Sequence, residues 1–213
     1  MTGAPGLARG SASRYARPMR FSAVILAGGS SRRMRRDKAL LPCEGTTLLA
    51  RQVGLVRALA PAEILISARA DADYGALGLA VLTDRFPDGG PLAGVEHALA
   101  AARSPLLLVL AVDLPGMTAG FLRGLASRCR PGAGVVPRTE QGLEPLAAFY
   151  PTALQPIAAA MLRDGRAAMT EFVRRGRESG LVDEWPCPPG DIPRFLNWNE
   201  PADVDVRGPA GSA

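Results

Sequence analysis

One histidine (His97), one lysine (Lys38), three cysteines and 5% aromatic residues are a sparse chemical inventory for 213 residues. A single histidine cannot build a His-rich zinc site. A Ser-His-Asp triad could draw only on His97, which sits in the helix-like stretch Glu96 to Ala100 and reads as an ordinary helix residue. Cys43, Cys129 and Cys187 are odd in number, far apart and form no CxxC pair. Reduced thiols in a cytoplasmic protein are therefore expected, with neither disulfide nor cysteine-bound metal. The longest apolar stretch, Pro105 to Val112, falls well short of the roughly eighteen residues that a membrane helix needs, which excludes a transmembrane protein.

Charge is also less informative than its total suggests. The net charge is +5, but residues 1 to 20 contribute Arg9, Arg14, Arg17 and Arg20 with no acid, so the remainder stands at +1. The body of the chain thus makes no global electrostatic case for nucleic acid. What it does have is a local cluster, Arg32, Arg33, Arg35, Arg36 and Lys38.

Hydrophobic residues at 47% and charged residues at 21% are ordinary globular values. A chain of this length buries roughly 70% of its unfolded surface and needs no staple. Residues 1 to 20, rich in Gly, Ala, Ser, Arg and Pro, lack the apolar core of a secretory signal and read as a disordered basic extension, with Met19 as a candidate natural start. Residues 207 to 213 read as a loose tail, leaving one domain over 21 to 206. Within it, apolar strand-like runs (21–27, 64–67, 79–83, 106–112, 135–136, 146–150) alternate with helical periods (46–60, 92–102, 118–129, 153–162, 166–175). This alternation predicts a three-layer, doubly wound α/β fold with a mostly parallel sheet, in which ligands bind beyond the carboxyl ends of the strands.

The chemistry-bearing residues follow those strand ends. After the first strand come Leu26, Ala27, Gly28 and Gly29 and then the cationic cluster. The glycines permit a tight turn and close backbone approach, successive N–H groups can form an anion nest, and the cations suit phosphate oxygens. The run is neither a Walker A loop nor a GxGxxG fingerprint. Of 25 cations, Lys38 alone is lysine, which points to a use for a compact ammonium. After the third strand come Asp84 and Gly89-Gly90-Pro91, either an anion-favouring helix start or plain turn chemistry. After the fourth comes Asp113, a carboxylate that either binds Mg²⁺ together with substrate phosphates or caps the next turn. Late in the chain, Glu144-Pro145-Leu146 and Asn197-Trp198-Asn199 stand out. The two amides would face one way in an extended segment and line a polar pocket, or Asn199 caps a turn.

Together these segments resemble the molybdenum cofactor guanylyltransferases of the MobA type, within the wider nucleotidyltransferase family, over roughly residues 21 to 206. The family's opening pattern LAGGxSxRMGxDKxLL stands here as Leu26 to Leu41; the Gly90 to Gly94 turn, Asp113-Leu114-Pro115, Glu144-Pro145-Leu146 and Asn197-Trp198-Asn199 also fit. The resemblance implies transfer of GMP from GTP to the terminal phosphate of molybdopterin or Mo-molybdopterin, with release of pyrophosphate. It implies that Leu26, Ala27, Gly28 and Gly29 bind the nucleotide by their backbone, and that Lys38 contacts phosphate. Ser67 and Asp84 belong to the nucleotide pocket, and Asp113 holds Mg²⁺ and nucleotide. Lys38, Arg33 and Asp113 then carry the transition-state charge. Glu144, Asn197 and Asn199 are the acceptor-binding candidates, and molybdoenzyme maturation proteins the candidate protein partners of a monomer or weak oligomer. Two positions depart from the pattern: Arg35 replaces a glycine, and Ser67 stands where many members have asparagine. The alternative is a cytidylyltransferase of the same fold using CTP, against which Gly28-Gly29 stands in place of Ala-Gly; a nucleotide-binding module without turnover is the reading from another class.

Overall fold

A computed structural model describes residues 19–28, 37–70, 72–86 and 88–198. The arginine-rich run with Gly29 and Arg33, Asn199, and all but Met19 and Arg20 of the two expected tails lie outside the described residues.

In chain order the elements are β1 (Ser22–Leu26), the short hairpin β2 (Pro42–Cys43) and β3 (Thr46–Thr47), α1 (Leu48–Arg57), β4 (Glu63–Ala68), β5 (Ala80–Thr83), α2 (Gly90–Ala101), β6 (Leu106–Ala111), α3 (Ala119–Ala126), β7 (Gly134–Thr139), β8 (Gly142–Leu143), β9 (Ala147–Pro151), α4 (Gln155–Arg163), α5 (Met169–Glu178) and β10 (Val182–Pro186). They build an eight-stranded sheet of order β10-β7-β9-β6-β1-β4-β5, with β8 attached to β7. The β5-β4-β1-β6 half is wholly parallel, whereas β9 runs antiparallel to both β6 and β7. The expected α/β architecture is present, and its sheet is mixed by the inserted β9 and by the short β8, which runs antiparallel to β7.

The apolar runs of β1 and β6 are continuous because both faces are covered. Alternate residues feed opposite layers. Ala23 and Ile25, with Leu106, Leu108 and Leu110, pack against α1 and α3. Val24 and Leu26, with Leu107 and Val109, pack against α2, α4 and α5. No helix among the described residues is long and apolar enough to cross a membrane.

Several boundaries differ from the sequence expectation for identifiable reasons. Thr46 pairs in the hairpin with Cys43, so Thr47 takes over as N-cap of α1, accepting the Ala50 N–H at 3.2 Å. Helix α2 starts two residues early, because Pro91 fits a first helical turn that needs no N–H there. Strand β10 was not expected at all: Asp183, Glu184 and Pro186 disguise it. It is an edge strand, and Arg130, Arg138 and Arg177 pair with its two carboxylates.

Gly134, at the start of β7, carries a strict packing demand. A Cβ there would overlap the Phe149 carbonyl oxygen and lie 2.6 Å from its carbon and 2.9 Å from Tyr150 Cα, all backbone atoms that cannot swing away. Gly134→Ala is expected to cost roughly 3 kcal/mol or more, at the top of the overpacking range, and to lower the thermal midpoint by about 10 °C. An unchanged midpoint in a calorimetric scan would show that β9 can shift.

Candidate active site

Parallel pairing places the ends of four strands side by side. Leu26 of β1 is level with Ser67 of β4 on one side and with Ala111 of β6 on the other, while Ala68 is level with Thr83 of β5. Asp84, Ser67, Ala27-Gly28 and Val112-Asp113 therefore follow one another along a single rim. The antiparallel insertion of β9 brings its leading segment to the same rim, where the Ala111 N–H donates to Leu146 O at 2.8 Å, placing Glu144 two residues away.

The first turn leaves the sheet under tight control. The N–H groups of Ala27 and Gly28 both donate to Ser67 O, at 2.8 and 3.1 Å. The Val112 N–H donates to Leu26 O at 3.1 Å, so the segment before Asp113 is tied to that turn.

Lys38 opens a short 3-10 turn (Lys38–Leu40) whose N-cap is Asp37. Asp37 accepts the Ala39 N–H on Oδ1 at 3.0 Å and the Tyr74 hydroxyl on Oδ2 at 2.5 Å, and Tyr74 is itself buried. So held, Lys38 Nζ stands 3.4 Å from Asp113 Oδ2, with both side chains about four-fifths buried (20% and 22% exposed). The carboxylate reaches the ammonium, and the helix that follows takes Thr118 as its N-cap. At 3.4 Å the contact is long for a charge-assisted bond. Two opposite charges thus meet at the rim, beside the turn that Ala27 and Gly28 make.

The other flank has a different character. Ser67 is buried and donates to Asp84 Oδ1 at 3.3 Å. Burial pushes the Asp84 carboxyl up, and the Ser67 hydrogen bond and nearby His97 only partly oppose this. His97 Nδ1 lies 2.8 Å from Thr83 O, an ordinary helix-to-strand contact. Gly94 on α2 makes room for Ser67: a Cβ there would overlap the hydroxyl and sit 3.1 Å from Leu26 Cδ2. Glu144 is half-buried, accepts from Thr139 Oγ1 at 3.2 Å, and is raised by burial against that bond.

Asn197 is exposed, next to Trp198, whose main-chain N–H donates to Asp113 O at 3.0 Å, so the C-terminal segment returns to the rim. Among the described residues no group of three or more His, Cys, Asp or Glu could hold a metal ion. Burial raises all three thiols, Cys129 to about 12, so none is poised as a thiolate.

Sequence reasoning missed the supports behind these groups: Asp37, Tyr74, Arg51 and Gln52. Gln52 had a signal, since it is polar within the apolar stripe Leu48, Leu49, Val53 and Val56 of α1.

Residues 23–179 match the family model of the MobA-like NTP transferase domain. The chain is 40% identical over 191 residues to a probable molybdenum cofactor guanylyltransferase of Opitutus terrae, covering 87% of this chain and 93% of the relative. It is 39% identical over 196 residues to a protein of the same description from Synechococcus elongatus, covering 87% and 96%. Its fold matches the crystal structure of molybdopterin-guanine dinucleotide biosynthesis protein A from Archaeoglobus fulgidus at 20% identity, with a TM-score of 0.65 over 87% of this chain and 95% of that one. By family-model coverage and by identity over most of its length, the chain belongs to the MobA-like NTP transferase family.

Proposed function

We propose that this protein transfers GMP from GTP to the terminal phosphate of molybdopterin or Mo-molybdopterin, releasing pyrophosphate, as a step in making the guanine dinucleotide form of the molybdenum cofactor. The observation that carries the reading is the meeting of Lys38 and Asp113, 75 positions apart in sequence and 3.4 Å apart at the rim, beside the Gly28 turn and the Ser67–Asp84 pair.

An oxygen of the acceptor phosphate attacks the α-phosphorus of GTP in line; the bond to the β-phosphate oxygen breaks, and pyrophosphate leaves. The attacking oxygen is already anionic, so no general base is needed, in keeping with a chain of one histidine. The protein's task is to hold two polyanions together and to neutralise the charge that moves onto pyrophosphate. Lys38 supplies an ammonium directed at the phosphates, and Arg33 is the further cation that the family resemblance nominates. Ser67 and Asp84 hold the nucleoside side, while Glu144 and Asn197 are the acceptor-side candidates.

Asp113 is a hard oxygen donor at the rim, and one such carboxylate suits Mg²⁺, which needs few protein ligands when substrate phosphates and water complete its shell, with Lys38 turning from the carboxylate to the phosphates. Bound there, Mg²⁺ would neutralise phosphate charge and ease pyrophosphate departure. The reduced thiols read from the sequence support a cytoplasmic setting. Incubation with molybdopterin, Mg²⁺ and each nucleoside triphosphate in turn, scored by product mass, tests the reading: GTP gives the guanine dinucleotide, and dinucleotide with CTP alone would replace it by the cytidylyl alternative.

Lys38→Ala is expected to lower turnover by a hundredfold or more, on the order of 3 kcal/mol for one lost preorganised donor. Turnover near wild type removes Lys38 from the mechanism.

Asp84 gives a pH-dependent expectation. Its folded pKa lies above the ordinary 3.8, so the native state binds more protons across that interval, and stability falls as pH rises through it. The penalty then persists at pH 7. Asp84→Asn should raise the thermal midpoint at neutral pH, lose that gain near pH 3, where both states of the wild type are protonated, and weaken GTP binding about tenfold, as expected for hydrogen bonds to a charged group. A midpoint gain that is the same at both pH values contradicts the assignment.

A further inference from the structure

The loop that carries Asp113 leaves the sheet after Ala111, where ladder partners end, yet Val112 and Leu114 are both buried and their carbonyls need donors. One side chain answers both. Gln52, wholly buried on α1, places Nε2 2.8 Å from Leu114 O and 3.4 Å from Val112 O, the carbonyls on either side of Asp113. The carbonyl between them, Asp113 O, accepts from the Trp198 N–H at 3.0 Å, and Arg51 Nη2 donates to Met117 O at 3.3 Å. Only one orientation of the amide serves, since the reverse would set its oxygen against two carbonyls.

That orientation leaves Gln52 Oε1 buried with no partner among the described residues. A buried unpaired oxygen offsets much of what the two donated bonds return. An apolar side chain would suit the stripe of α1 without that penalty. The amide's distinctive effect is geometric: bonds to the preceding and following carbonyls restrain the main chain of the residue between them.

We propose that Gln52 is a positioning residue for the reaction, fixing the main chain of Asp113 so that its carboxylate meets Lys38 and the metal-bound triphosphate. The inference rests on the reading of Asp113 given above. It predicts a change in catalysis separable from a change in stability.

The test uses the full chain and three variants. Gln52→Met keeps length and removes both donors. It should fold with a midpoint lowered by no more than that of Val53→Ala, because two buried carbonyls lose their donor, lose kcat by about 10- to 100-fold with KM for GTP within about twofold, and bind Mn²⁺ in the presence of GTP about tenfold more weakly, the range seen when a ligand's supporting partner is removed. Gln52→Glu should recover relative to wild type as pH falls from about 8.5 to about 6.5, because a buried carboxyl takes up a proton in that range and can then donate to Leu114 O. Val53→Ala, in the same helix and core, should lower the midpoint and leave kcat and Mn²⁺ affinity within about twofold of wild type. The proposal is overturned if Gln52→Met matches wild type in kcat and Mn²⁺ affinity, or if Val53→Ala loses both as Gln52→Met does. If wild type binds Mn²⁺ with GTP yet makes no dinucleotide, the reaction assignment fails while the metal-affinity difference still decides the role of Gln52. If wild type binds no Mn²⁺ with GTP, both fall.

Discussion

Two opposite charges held beside each other where a buried sheet ends set the terms for the rest of this molecule. Lys38 and Asp113 come from different loops, and each loop is braced by residues from elsewhere in the chain. The lysine's position depends on Asp37, which caps its turn and takes the Tyr74 hydroxyl. The aspartate's depends on β6, whose six buried residues carry it to the rim, and on donors from α1 and from Trp198. The parallel register of β1, β4 and β6 then decides that a glycine turn and a buried serine stand beside the pair. Architecture here serves mainly to fix directions: each rim group is backed by a neighbour that constrains it.

The division of labour between layers follows from burial. Strands β1 and β6 alternate their side chains into two separate cores, so the sheet resists displacement from either face. Groups at the rim instead sit in energetically compromised positions. Asp84 is pushed toward its neutral form, Gln52 has an unpaired oxygen, and the ion pair is longer than ideal. Such compromises concentrate where a ligand will complete the set. They require a stable interior beneath them, and close backbone packing such as that of Gly134 against β9 supplies it.

Much of this is legible in the amino-acid order, for reasons that are local. A strand buried on both faces must be continuously apolar, so β1 and β6 declare themselves, and residues placed just after them are at the rim by necessity. Gly28 and Asp113 could be named on that ground, Asp84 as the residue that follows β5, and Lys38 as the lone lysine of the opening motif. Strand β10 could not, because its acidic residues are made tolerable only by arginines that the fold brings from elsewhere. The start of α1 lies two residues later than the periodicity indicates because two adjacent threonines are equally good caps, and only pairing with Cys43 chooses between them. Gln52 and Tyr74 act across 62 and 37 positions; no local pattern encodes such distances, although a polar residue in an apolar stripe is a sign that something is being held.

The account stands on Lys38 and Asp113 acting as one unit upon the triphosphate. A double-mutant cycle on GTP binding with Mg²⁺ present, using Lys38→Ala, Asp113→Ala and the double variant, measures that directly. If the two act together, the double variant binds GTP about as weakly as the worse single one, because removing either already disables the pair. Losses that simply add would mean that the two residues serve separate sites, and the shared rim proposed here would be wrong.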